Sequence, residues 1–134
     1  MSIVDKLLKL DAGKLEEKPE KTIEITRLSE LIGEPFMVRC TAITGDRYSE
    51  LTSVAVSKSG KFEYEKAYKA NVLVALESIV EPDLKNEELQ KHFNCLTPKE
   101  LLEKLLNGGE ISKIADISTE LSGFGNDADK EIKN

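Results

Sequence analysis

The alternation of apolar and polar positions along the chain predicts helices for most of its length and strands in two places. Ile3-Val4-Asp5-Lys6-Leu7-Leu8 sets apolar residues at i, i+1, i+4 and i+5, the spacing of one helical face. That helix is expected to end near Asp11-Ala12-Gly13. The charged, Pro-containing stretch 14–21 reads as a linker. Thr22-Ile23-Glu24-Ile25-Thr26 alternates with period two and is rich in β-branched residues, so it predicts a half-buried strand. A helical turn from Leu28 to Ile32 closes at Gly33, and 36–43 predicts a second strand.

Beyond residue 43 the pattern is helical throughout. Thr44 is placed to cap a helix running to about Val56, with Leu51, Val54 and Ala55 inward. A turn at 57–60 leads to a long helix from Tyr64 to Ile79. Its segment Val72-Leu73-Val74-Ala75-Leu76 is apolar nearly all round, as in a helix surrounded by its neighbours. Asn86 caps another helix, from which Leu89 and Phe93 face inward. In Thr97-Pro98-Lys99-Glu100 the Thr stands at N-cap, the Pro at the first helical position and the Glu where it closes a capping box. Leu101, Leu102, Leu105 and Leu106 form that helix's inner stripe, and Gly108-Gly109 are expected to end it. The last helix, 110–122, carries Ile111, Ile114, Ala115, Ile117 and Leu121. Gly123 and Phe124 suit a Schellman ending. A polar, flexible tail is expected at 125–134.

The expected fold class is therefore α+β and predominantly α, with about five helices around a small two-stranded antiparallel hairpin. The chain reads as one domain, in which 1–21 form an amphipathic segment and linker and 22–124 the globular core. Its 134 residues suit a single core. With 5% aromatic residues and no Trp, that core must be aliphatic.

Charge narrows the possible partners. The net charge is −6, and no two Lys or Arg are adjacent. Nucleic-acid affinity rests on clustered positive charge, so no nucleic-acid partner is expected. A membrane partner is not expected either, because no apolar run approaches the ~20 residues that span a bilayer. Cys40 and Cys95 stand 55 positions apart and read as reduced, buried small hydrophobes of a cytoplasmic protein.

Chemistry is sparse. His92 and Cys95 share a helix face as a formal nucleophile–base pair, yet no orienting acid adjoins them. One His and two distant Cys fall short of a zinc site. Gly108-Gly109 lacks the Lys-Ser/Thr of a phosphate loop, and Gly123-Phe-Gly125 follows a helix where a dinucleotide fingerprint follows a strand. The expectation is no enzyme, no cofactor and no metal. What remains is amphipathic surface. Ile3, Leu7 and Leu8 dock either back onto the domain or onto another chain. Leu101, Leu105, Ile114, Leu121 and Phe124 of the C-terminal helix pair either pack the core or make a ridge for a helical partner.

The order of elements resembles a known family. It runs Lys21-Thr-Ile-Glu-Ile-Thr-Arg-Leu-Ser-Glu, Glu34-Pro-Phe-Met-Val-Arg and Val80-Glu-Pro-Asp-Leu, then Leu96-Thr-Pro-Lys-Glu-Leu-Leu-Glu-Lys-Leu-Leu-Asn-Gly-Gly-Glu-Ile and Ile117-Ser-Thr-Glu-Leu-Ser-Gly-Phe. Over residues 3 to 124 this is similar to the XkdN-like tail assembly chaperones of long-tailed phages and prophages of Gram-positive bacteria. The resemblance implies a non-enzymatic protein of the host bacterial cytoplasm that is not in the mature virion. Such a protein binds the tape measure protein and helps recruit the major tail tube protein; a homo-oligomer is compatible. The rival expectations are a virion component, such as a tail-completion or neck protein, and a small metal-dependent hydrolase using His92, Cys95 and nearby carboxylates.

Overall fold

A computed structural model describes residues 2–124. Within them the chain forms eight α-helices and three strands. The first two helices, α1 (Ile3–Leu8) and α2 (Ala12–Glu16), precede β1 (Glu20–Glu24), α3 (Thr26–Ile32) and β2 (Met37–Thr41). Then come α4 (Gly45–Thr52), a 3-10 turn at Ser53–Ala55, a second at Tyr64–Lys66, and α5 (Ala67–Ser78). Last are β3 (Ile79–Glu81), α6 (Glu87–His92), α7 (Pro98–Leu105) and α8 (Gly108–Leu121). The α+β class is as the sequence predicts, but five helices and two strands were too few. The expected tail at 125–134 lies outside the described residues.

The sheet is antiparallel in the order β1-β2-β3, with β2 in the middle. Val38 and Cys40 of β2 are buried on the helix-covered face. On the opposite face Arg39 reaches across both neighbours, to Glu20 Oε2 at 3.0 Å on β1 and Glu81 Oε1 at 2.9 Å on β3. β3 takes Ile79, where the long helix was expected to end, and the two residues after it. The helix stops at Ser78: Ile79 turns extended, and Ile79–Glu81 form the strand. The free edge of β2 takes up this short segment.

β1 begins two residues earlier than predicted. Thr26 enters α3, while buried Ile25 stays extended and donates to the Phe36 carbonyl at 3.0 Å. A second helix, α2, runs from the expected end of the first helix into the start of the expected linker; it is capped by Asp11, whose Oδ1 accepts from Gly13 N at 3.0 Å.

The core lies where α5 packs on α8, with α7 and β2 completing it. Val72, Val74 and Ala75 of α5 are buried, as are Ile111, Ile114, Ala115 and Ile117 of α8. Leu51 and Ala55 are buried as expected, whereas Val54, also expected inward, is exposed, because the chain leaves α4 through the 3-10 turn. Two serines fasten α8 to the end of the sheet. Ser118 Oγ donates to Thr41 O at 3.3 Å, and Ser122 Oγ accepts from Ile43 N at 2.9 Å.

The two C-terminal helices meet differently from the expectation. Gly108-Gly109 open α8; they do not end α7. Asn107 Oδ1 accepts from Glu110 N at 2.9 Å, and Glu110 Oε1 accepts from Asn107 N at 2.8 Å. This reciprocal box satisfies donors of a first turn in which glycine is tolerated. At Thr97 the forward half of the predicted box forms (Glu100 N to Thr97 Oγ1, 3.1 Å), but Glu100 reaches back one residue further, to Leu96 N at 2.9 Å. The Schellman ending is complete: Gly123 takes φ 88°, and Phe124 N donates to Thr119 O at 3.0 Å. Phe124 itself stacks on Tyr48 of α4, with ring centroids 4.6 Å apart.

Candidate interaction surfaces

Among the described residues two uncovered apolar surfaces stand out, and they have different origins. The first is the N-terminal helix pair. Local caps hold it: Asp5 N donates to Ser2 Oγ at 3.1 Å, and Ser2 N to Asp5 Oδ2 at 3.2 Å. Residues 2–22 are all exposed, and α1 and α2 contribute nothing to the core. Ile3, Leu7 and Leu8 stand at 70%, 56% and 78% exposure. Leu10 and Leu15 are exposed beside them. An isolated helix shorter than ~12–15 residues is marginal in water, and most helical stability in proteins comes from packing an amphipathic face. Six-residue α1 has the face and, among the described residues, no surface under it.

The second surface is a cleft of about 480 Å³ between α3, α6 and α7. Leu31, Ile32, Phe36, Leu89, Phe93 and Leu105 give it apolar walls. Leu31 is 72% exposed although it belongs to a regular helix. Arg27 and Lys104 are the charged residues of the lining. Arg27 is fixed by Glu110, through Nη2 to Oε1 at 2.8 Å and Nε to Oε2 at 3.2 Å, and by the Leu105 carbonyl at 2.7 Å. That hydrogen-bonded guanidinium holds the Glu110 carboxyl below the usual carboxylate range against the opposing effect of burial, and the Arg27 guanidinium is itself raised. No linear pattern marks this cleft, since its walls come from segments up to 74 positions apart.

The residues singled out from the sequence fall into three groups. Ile3, Leu7 and Leu8 are free surface. Leu105 and Leu121 are half-buried against the core, and Phe124 is 40% exposed on Tyr48. Leu101 and Ile114 are at 0% exposure, so in this fold they fill the core and offer a partner no surface. Their stripe is wide because α7 and α8 meet neighbours on more than one side.

The possible chemical groups are scattered. Cys95 is buried with its thiol 3.5 Å from the Phe93 carbonyl, while His92 is exposed and edge-on to the Phe93 ring. Burial pushes the Cys40 thiol up to about 11, away from the reactive thiolate. Among the described residues no three His, Cys, Asp or Glu stand close enough to share a metal ion. No helix among them is long and apolar enough to cross a membrane.

No curated protein matches the chain by sequence. The crystal structure of the protein yqbn is similar in fold, at 24% identity and a TM-score of 0.59, covering 81% of this chain and 88% of that one. A family described as phage XkdN-like tail assembly chaperone protein matches residues 4–134. A match over nearly the whole length, in elements whose order and caps the structure now explains, places the chain: it belongs to the phage XkdN-like tail assembly chaperone family.

Proposed function

We propose that this chain binds the tape measure protein and helps recruit tail tube subunits around it, acting in the host bacterial cytoplasm and staying out of the mature virion. The observation that carries the reading is α1, a capped helix with its whole apolar face in water. A tape measure is a long helical chain whose apolar stripes invite aggregation until the tube encloses them. A small acidic protein with a detachable apolar helix suits the task of covering such stripes.

The magnitudes favour a reversible cover. Burying the four apolar side chains of α1 contributes roughly 6–12 kcal/mol gross. Association and ordering cost about 4–15 kcal/mol. One arm therefore binds weakly, and several arms along one long chain bind well. A cover of this kind yields when tube subunits arrive.

The test is co-expression with the tape measure protein of the same gene cluster, followed by pulldown and a solubility assay. The expected result is a soluble complex. A tape measure equally soluble and unbound in the presence or absence of this chain refutes the reading.

A further inference from the structure

The cleft between α3, α6 and α7 has a chemistry that specifies its occupant. In a chain where acids outnumber bases 25 to 19, its lining carries two cations and no carboxylate. The charge of Arg27 is met by Glu110 from outside the lining. Lys104 has no carboxylate partner among the described residues, although Lys99, on the same helix, pairs with Glu103. The walls between these two cations are apolar and supply no converging polar groups of the kind that orient a small ligand. An elongated apolar object with negative charge along one side fits this arrangement.

We infer that the cleft is a groove for an amphipathic helix of a partner protein, with apolar anchors near i, i+4 and i+7 on the walls and a carboxylate on the flank facing Lys104. The α1 helix of a second copy is the other apolar helix at hand, and its charges argue against it. Its flanks carry Lys6 and Lys9, which would meet Lys104 with like charge, and its acid Asp5 is engaged in the Ser2 cap. The inference rests on the chaperone reading for the source of the helix, an unassembled tail protein. Its chemistry comes from the cleft alone.

Two synthetic amphipathic helices test it, sharing one Leu stripe and differing only in flanking residues, Glu in one and Lys in the other. Fluorescence anisotropy with the full chain should show the Glu-flanked helix binding at least about tenfold more tightly. Lys104→Glu should abolish or reverse that preference. Leu31→Asp, at a position too exposed to matter for folding, should abolish binding of both helices with the melting temperature unchanged. Equal binding of the two helices, or binding that survives Leu31→Asp, overturns the inference. So does a dimer of the wild-type chain that Leu31→Asp dissociates, because a second copy would then be the occupant. A tape measure that ignores the chain while the two synthetic helices are still discriminated would refute the chaperone reading and leave the groove standing.

Discussion

Arg27 on α3 and Glu110 in the first turn of α8 form a two-pronged ion pair, 2.8 Å at its shorter contact, across 83 positions of sequence. The same carboxylate accepts the Asn107 N–H, and the same guanidinium bonds the Leu105 carbonyl. One pair thus keys α3 to the corner between α7 and α8, and so sets one side of the cleft. Removing it by Arg27→Gln should lower the urea midpoint at neutral pH.

The pH dependence of that loss has a definite sign. Glu110 is held below the ordinary carboxylate range, so its contribution is complete above about 4.3, the usual unfolded value, and disappears as pH falls through the folded value. Urea midpoints of wild type and Arg27→Gln should differ at pH 7 and converge as the pH is lowered below 4.3. A gap that stays constant would mean that Arg27 acts by packing alone.

The cap on α8 is separable from the ion pair. Asn107→Ala removes the acceptor for Glu110 N and should cost about 1 kcal/mol, measured by urea unfolding. A change well below ~0.5 kcal/mol would show that water replaces the cap.

Leu101 and Ile114 were candidates for partner contact from the sequence, and the fold puts them in the core. Leu101→Ala or Ile114→Ala should each cost about 2–5 kcal/mol in stability. Any loss of partner binding in these variants should track the loss of folded protein, read by circular dichroism on the same samples.

Cys40 should be silent in the native state. With its thiol pushed to about 11, only about one in ten thousand is ionised at pH 7, and the side chain has no exposed surface. Thiol labelling of Cys40 should be slow in buffer and immediate in urea. Fast labelling of the native protein would place the centre of β2 closer to solvent than the structure does.

Much of the fold was readable because local signals carried it. Gly123, Thr97 and Thr44 name helix ends through hydrogen bonds that span only a few residues, and the all-apolar run of α5 names the centre of the core. What sequence could not give was set by neighbours distant in the chain. β3 exists because β2 has an edge to pair, and nothing in Ile79-Val80-Glu81 by itself distinguishes it from the end of a helix. Gly108-Gly109 looked like a stop because glycines often are; the decisive residues were Asn107 and Glu110 on either side. The surfaces follow the same division. The α1 stripe is a local pattern and was visible, whereas the question of what it packs on was open until the structure left it in water. The cleft was invisible, since Leu31, Phe93 and Leu105 become neighbours only after folding.

The most direct test of the account is the double variant Leu7→Asp, Leu8→Asp, assayed for capture of the tape measure protein and for thermal melting in one preparation. The account predicts that capture is lost while the melting temperature stays within a degree or so of wild type, since these side chains are outside the core. Capture at the wild-type level, or a drop in melting temperature as large as that of a core variant, would contradict it.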